Sequence, residues 1–283
     1  FFRTEGEFTY AMIRYFLEGD YHSPINIFKK LHQKYPQNPA FTLIIGYHYR
    51  RHGQIKLAET YFLKVPESYT DKLPQITVMK YYNLAVCYYR LNQFEESDRF
   101  FTKLLDTSLR KSQYYLAAIT HYKGILAGLE DNRQLSQYYF SLLYNNKETE
   151  YWYNLSRFYA NNPFDEVMKH FIMANNNIYS RNQTKAAGDV DWLVNYLETY
   201  PAKFKDSDFK FMIRDVQARF SFQKGQIQQA KDMYDLIIHD LDDFKDDFQR
   251  AWIYIAYARV LREMKDWKTS EKMLDKAMLE YEY

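Results

Sequence analysis

His48 and His52 stand four residues apart, the spacing that sets two imidazoles on one face of a helix. Such a pair can seat a divalent metal, yet a zinc site takes a third and often a fourth ligand. No further histidine or acid stands nearby in sequence, so the pair also reads as two partly exposed histidines beside Arg50 and Arg51. Cys87 is the single cysteine, which excludes an internal disulfide framework and a cysteine-cluster metal site. It falls within an apolar helical run, no base stands beside it, and it reads as a small packed residue. Asp240, Asp242, Asp243, Asp246 and Asp247 form an acidic run around His239 and Phe244. Acidic runs can hold calcium, but this spacing departs from the D-x-[DN]-x-[DN]-G loop. The run reads as a solvated loop in which Asp246 is placed to cap the following helix. Phosphate-cradling glycine loops and the G-x-S-x-G elbow are absent from the sequence. No catalysis, cofactor or resident metal is therefore expected. Asn154-Leu155-Ser156 and Asn182-Gln183-Thr184 fit the glycosylation pattern, which chance often satisfies.

What remains is a pattern of helices. From Phe8 to Pro36, apolar residues recur at helical spacing on both sides of Gly19-Asp20, a turn signal. Lys29, Lys30 and Lys34 load the C-terminal half of the second run, where the helix dipole favours cations, and Pro36 stops it. Two short helices cannot bury their apolar faces alone, so the unit needs neighbours. The composition agrees. Of 283 residues, 47% are hydrophobic, while only 8 Gly and 7 Pro occur, which disfavours a strand-and-turn-rich fold. The 29 Tyr and 21 Phe suit a thin stack, whose side chains often have one apolar and one wet side. A net charge of +2 makes no demand for nucleic acid or an anionic membrane. No apolar run reaches 18 residues, so no membrane span is expected. The chain begins at Phe1 and reads as a fragment or processed form, which leaves its compartment open.

The unit recurs. A second hairpin reads Ile45, Gly46, Tyr49, Gly53, Ala58 and Phe62, and a third Leu84, Ala85, Tyr88, Asn92, Ser97 and Phe101. A degraded fourth has Gly124, Asp131-Asn132, Ser136 and Phe140. A fifth runs from Trp152, Leu155, Ser156 and Tyr159 through an Asn161-Asn162-Pro163 turn to Phe171 and Ala174. Two more carry Ala218, Gly225, Ala230 and Tyr234, then Ala258, Asp266, Ser270 and Leu274. This pattern resembles the tetratricopeptide repeat, with its period of about 34 residues and small residues where two helices approach. The resemblance implies an all-α, right-handed α-solenoid of helical hairpins. The expected divisions are N-terminal hairpins over 1–174, an irregular or worn repeat over 175–205 that could be a hinge, and C-terminal hairpins over 206–283. Asn175-Asn176-Asn177 is expected to break the helical run, followed by one amphipathic helix from Asp189 to Thr199.

In that family the first helices line a concave face, and ligand contacts come from fixed first-helix positions. Here those positions are Tyr47, Arg50 and Arg51; Tyr82, Asn83, Tyr89 and Arg90; Tyr153, Asn154 and Arg157; and Arg259 and Arg262. Tyr and Arg are enriched at protein interfaces, and an Asn amide can hold a peptide backbone. The same residues also suit the wet side of a Tyr-rich solenoid. Some family members bind chaperone tails through a Lys/Asn/Arg carboxylate clamp. Asn83 fits one clamp position, but Leu43 and Tyr47 stand where Lys and Asn are required, so that ligand is not expected. The resemblance implies a non-catalytic adaptor that takes a peptide or helix of another protein in its groove. Two alternatives stand beside it: a scaffold that self-associates through its C-terminal hairpin, where Met273, Leu274 and Met278 look partly uncovered, and an accessory module of a larger complex.

Overall fold

The structure is a computed structural model and describes residues 2–16, 23–70, 74–105, 112–143, 150–205, 207–241 and 244–281. Among them are sixteen α-helices and no strand. In chain order these are α1 (Phe2–Phe16), α2 (Ser23–Lys34), α3 (Pro39–Arg51), α4 (Ile55–Leu63), α5 (Glu67–Thr70), α6 (Pro74–Arg90), α7 (Phe94–Leu105) and α8 (Gln113–Leu129). There follow α9 (Arg133–Ser141), α10 (Glu150–Asn161), α11 (Glu166–Tyr179), α12 (Gln183–Thr199), α13 (Phe209–Gln223), α14 (Ile227–His239), α15 (Asp247–Glu263) and α16 (Trp267–Tyr281). The expected class, an all-α array of tetratricopeptide-like hairpins, is what the structure shows. The chain forms two compact units, residues 1–119 and 120–283. The Gly19-Asp20 turn of the first hairpin, and Asp242 and Asp243, lie outside the described residues.

One local device makes six of the hairpins. Each turn holds a residue with left-handed backbone: Gly53, Asn92, Asp131, Arg181, Gly225 and Lys265, with φ between 56° and 78°. Glycine adopts this conformation without penalty, and Asn and Asp tolerate it. At each turn two N–H groups reach back into the helix end, as in Gly53 N–H to the Arg50 carbonyl (3.1 Å) and Gln54 N–H to the Tyr49 carbonyl (2.9 Å). This satisfies carbonyls that a helix end otherwise leaves unpaired.

Seven residues before each turn residue stands a small side chain: Gly46, Ala85, Gly124, Ala174, Ala218 and Ala258. Five residues after it stands another: Ala58, Ser97, Ser136, Ala186, Ala230 and Ser270. All are buried. Their size lets the paired helices close, and the serines bridge them, with Ser97 Oγ donating to the Ala85 carbonyl at 2.9 Å and Ser270 Oγ to the Ala258 carbonyl at 3.0 Å. Nine residues after the turn a large side chain fills the gap. Phe62, Phe101, Phe140, Val190 and Tyr234 are at most 3% exposed. Burying a side chain of that size stabilises by about 1.5–3 kcal/mol. The fit is close: a Cβ on Gly46 would lie 2.8 Å from the Phe62 ring, and one on Gly124 2.5 Å from the Phe140 ring.

The same device corrects the expected middle of the chain. Asn175, Asn176 and Asn177 do not break a helix; they lie inside α11, with Asn176 and Asn177 buried. Asn177 donates Nδ2 to Asp189 Oδ2 at 2.9 Å, so its amide is satisfied by α12 and the helix runs through. Residues 175–205 are therefore no irregular insert: α11 and α12 form a hairpin turning at Arg181. Asn182 caps α12, its side chain accepting from Lys185 N–H at 3.4 Å. The expected hairpin of α10 and α11 lacks this device, since Asn161-Asn162-Pro163 holds no left-handed residue, although Phe158 of α10 lies 5.4 Å from Phe171 of α11. α10 also packs against α13, with Phe158 edge-on to Phe209 at 5.3 Å, and against the start of α15, with Tyr151 edge-on to Phe248 at 5.8 Å.

Candidate protein-binding face

In the first unit, α3 ends on Tyr47, Arg50 and Arg51. The two guanidinium groups lie over the Tyr47 ring, at 5.2 Å for Arg50 and 5.9 Å for Arg51, within cation–π range. Arg51 is exposed, and Tyr47 and Arg50 are half-buried. On α6, half-buried Arg90 lies over the Tyr89 ring at 5.7 Å. The start of α8 completes the cluster. Tyr115 meets Tyr82 edge-on at 5.1 Å, and its hydroxyl pKa is pushed up by burial and then by Tyr114 and Tyr47, against the pull of Arg50. Tyr47, Arg50, Tyr82 and Tyr115 thus gather from three helices.

Three expected contact residues prove to be walls rather than open positions. Tyr82, Asn83 and Tyr89 are 8%, 4% and 4% exposed. Phe101 and Tyr115 enclose Tyr82, and Phe94 lies 5.9 Å from Tyr89. Asn83 donates Nδ2 to the Met79 carbonyl at 2.6 Å, while its Oδ1 is buried without a hydrogen-bond partner. An unmet acceptor of this kind costs about 1–3 kcal/mol.

In the second unit, Tyr153, Asn154 and Arg157 are half-buried on α10. They follow from a first-helix register that assumes the left-handed turn, which the link from α10 to α11 lacks. Arg157 instead stands 3.8 Å from Asp246. Asp246 caps α15 as expected, accepting from Gln249 N–H at 3.1 Å. Burial raises its pKa, held back by the Gln249 N–H and Arg157. Arg259 and Arg262 are exposed on α15.

Residues 9–135 match the family model described as Iml2/Tetratricopeptide repeat protein 39, a little under half of the chain. Residues 9–135 are thus similar to tetratricopeptide repeats. Among solved structures it is similar to a tetratricopeptide repeat protein from Parabacteroides merdae, at 14% identity and a TM-score of 0.43, covering 97% of this chain and 98% of that one. It is also similar to a chain of the APC/C hetero-tetramer Cut9-Hcn1, at 11% identity and a TM-score of 0.35, covering 92% of this chain and 43% of that one. The comparison with curated proteins returned no match.

The other chemical candidates take structural parts in the helical hairpins. The His48 and His52 rings lie 4.2 Å apart at a tilt of 33°, and His52 Nδ1 lies 2.8 Å from the His48 carbonyl, closing the end of α3. Cys87 is fully buried, and burial pushes its thiol up to about 12, which keeps it protonated and unreactive. Among the described residues no cluster of three His, Cys, Asp or Glu is grouped to hold a metal, and no helix is long and apolar enough to cross a membrane. A cleft of about 330 Å³ in the second unit opens beside Gly128, Arg133, Phe140, Tyr159 and Phe164. Phe164 packs there onto the backbone of Gly128, where a Cβ would come within 2.5 Å of the ring. Sequence reading missed this cleft, which depends on a loop reaching back over α8.

Proposed function

We propose that the chain is a non-catalytic adaptor that holds a segment of another protein against the α3–α6 face of its first unit. The observation that carries this reading is the Arg50 and Arg51 pair stacked over Tyr47, with Arg90 over Tyr89 on the adjacent first helix. Preset rings and guanidinium groups bind at low entropic cost and are typical of interface anchors. Tyr82, Asn83 and Tyr89 shape the face from beneath. Arg259 and Arg262 are the outward candidates in the second unit; Tyr153 and Asn154 follow them, and Arg157 is engaged by Asp246. The test is cross-linked capture from native lysate by wild type and by the R50E/R51E/R90E variant, with helicity compared by circular dichroism. A partner lost only in the variant is the expected result. An identical partner set moves binding off this face.

A second reading, self-association through α16, is favoured by Leu274. It occupies the slot that is at most 3% exposed in five earlier hairpins, yet it is 38% exposed, beside Trp267 at 61% and Met278 at 61%. Light scattering across a concentration series tests it; a constant monomer mass removes it.

A further inference from the structure

We propose that a lysine-rich face on α2 and α4, the second helices of the first two hairpins, docks the first unit on an anionic membrane surface. The charge of the chain is unevenly divided. Residues 1–119 carry 16 Lys and Arg against 11 Asp and Glu, whereas residues 120–283 carry 22 against 25. Part of that excess gathers on second helices. α2 contains Lys29, Lys30 and Lys34 and no Asp or Glu. α4 contains Lys56, with Lys64 at its C-cap, and its one acid is Glu59. Glu59 is engaged within the fold, by Lys56 at 3.1 Å and by the Tyr88 hydroxyl of α6. Among the described residues, Lys29, Lys30, Lys34 and Lys64 take part in no ion pair. Lys30, Lys34 and Lys64 are exposed, and Lys29 is half-buried.

Packing holds these cations close together. Lys29 Nζ lies 5.4 Å from the centre of the Tyr49 ring, Lys64 Nζ lies 5.1 Å from that of Tyr61, and the two rings meet at 5.4 Å. His32 of α2 meets Tyr61 of α4 edge-on at 6.3 Å, which sets the two helices side by side. Burial and Tyr49 push the Tyr61 hydroxyl up while Lys29 draws it down, so the Lys29 charge reaches across the pair. A tyrosine ring steadies an ammonium group without neutralising it. Exposed leucines stand among the lysines. Leu57, Tyr61 and Lys64 fall at i, i+4 and i+7, on one face of α4. Leu57 is 39% exposed and Leu63 52%. Clustered lysines attract the negative potential of anionic lipid, and apolar side chains beside them enter the headgroup boundary. A soluble anion would use the lysines and leave the leucines idle. A nucleic acid would need open ring faces on which bases stack, whereas Tyr49 and Tyr61 turn theirs to each other and to the lysines.

Co-sedimentation with vesicles tests this. The probes are vesicles of phosphatidylcholine alone, vesicles of phosphatidylcholine with phosphatidylserine, and a free oligouridine as competitor. Wild type is expected to sediment with the phosphatidylserine vesicles, to stay in solution with phosphatidylcholine, and to bind less as salt rises. K29E/K30E/K34E/K64E is expected to lose affinity by about tenfold or more, while K185E/K245E/K268E/K272E, with the same change in net charge, keeps it. K30Q/K34Q, which leaves the lysines on Tyr49 and Tyr61 in place, is expected to lose several-fold with unchanged circular dichroism. L57S/L63S is expected to lose several-fold and to keep its salt dependence. R50E/R51E/R90E is expected to bind vesicles as wild type does. Equal sedimentation with phosphatidylcholine, full affinity in both lysine variants of this face, or an equal loss in the two quadruple variants overturns the proposal. So does release from the vesicles by oligouridine at a phosphate concentration below that of the lipid, which would assign the lysines to nucleic acid. Full affinity in L57S/L63S overturns the entry of the leucines, and loss in R50E/R51E/R90E alone moves the contact to α3 and α6.

Discussion

Two hairpins with the same plan handle their arginines in opposite ways. In the first unit, α3 and α4 close on Gly46 against the Phe62 ring, an all-apolar contact, and Arg50 and Arg51 project at the helix end over Tyr47. In the second unit, α13 and α14 close on Ala218, and the slot of Phe62 is taken by fully buried Tyr234. Its hydroxyl donates to Asp215 Oδ1 at 2.8 Å. Arg219 then donates to Asp215 Oδ2 at 2.7 Å and to Asn175 Oδ1 at 2.7 Å. Burial, followed by the Asp215 charge, raises the Tyr234 pKa far above its ordinary value, so the phenol stays neutral. One phenolic oxygen in place of a ring hydrogen thus draws a carboxylate inward, and the carboxylate draws an arginine. Unit two uses its charges to hold helices together, as Arg250 does with both oxygens of Glu280 at 3.0 and 2.6 Å. In unit one Lys80 likewise joins helices, through the Val65 carbonyl and Glu67, while Arg50, Arg51 and Arg90 lie over tyrosine rings.

The comparison breaks most visibly at Asp215. Asp215→Ala strands Arg219 and the Tyr234 hydroxyl, and a loss of about 3–5 kcal/mol is expected. Urea denaturation gives the magnitude, and hydrogen exchange should confine the loosening to α11, α13 and α14. Exchange spread evenly over residues 1–119 would mean that the networks of unit two do not act locally. In unit one, Gly46→Leu forces the Phe62 ring aside and is expected to cost about 1–3 kcal/mol; a neutral result by thermal denaturation would show that α3 and α4 can part freely. Asp246→Asn sharpens the electrostatic side. Folding raises the Asp246 pKa, so the folded state keeps a proton that the unfolded state has released. Wild-type stability therefore falls as pH rises from the ordinary carboxylate value, about 3.9, through the raised one. Asparagine retains the cap without titrating, so the variant gains on wild type as pH rises above the ordinary carboxylate value. A variant that loses ground over that range would show that the Arg157 ion pair outweighs burial. The smallest effect belongs to R51E, expected to stay within about 0.5 kcal/mol because Arg51 is exposed; a large loss would place that arginine with Arg219 as structural.

Much of the fold was legible as a spacing. A small residue twelve positions before another, with a left-handed turn residue between, marks six hairpins, and five were readable from Gly46/Ala58 to Ala258/Ser270. The sixth pair, Ala174/Ala186, carries the same signal. Three asparagines hid it, because Asn favours turns over helix interiors when its amide lacks a tertiary partner. Asp189 is that partner for Asn177, and it arrives only because the hairpin folds α12 back onto α11. The face was less legible. Helical spacing selects Tyr82, Asn83 and Tyr89 as one set with Arg90, but the burial of both tyrosines depends on Phe94, Phe101 and Tyr115, which other helices bring over them.

By itself the sequence determined the helices, their turns and the small–large pairs that close each hairpin, because these rest on backbone preferences and on contacts between residues close in the chain. It also determined that α3 and α6 carry positive charge and no negative charge. Only the tertiary structure decided how deeply Tyr82 and Tyr89 are buried, which helices α10 touches, and which carboxylates hold Arg219 and Arg250. Burial and ion pairing depend on what distant helices bring near, and no local pattern encodes a neighbour that arrives from elsewhere in the chain.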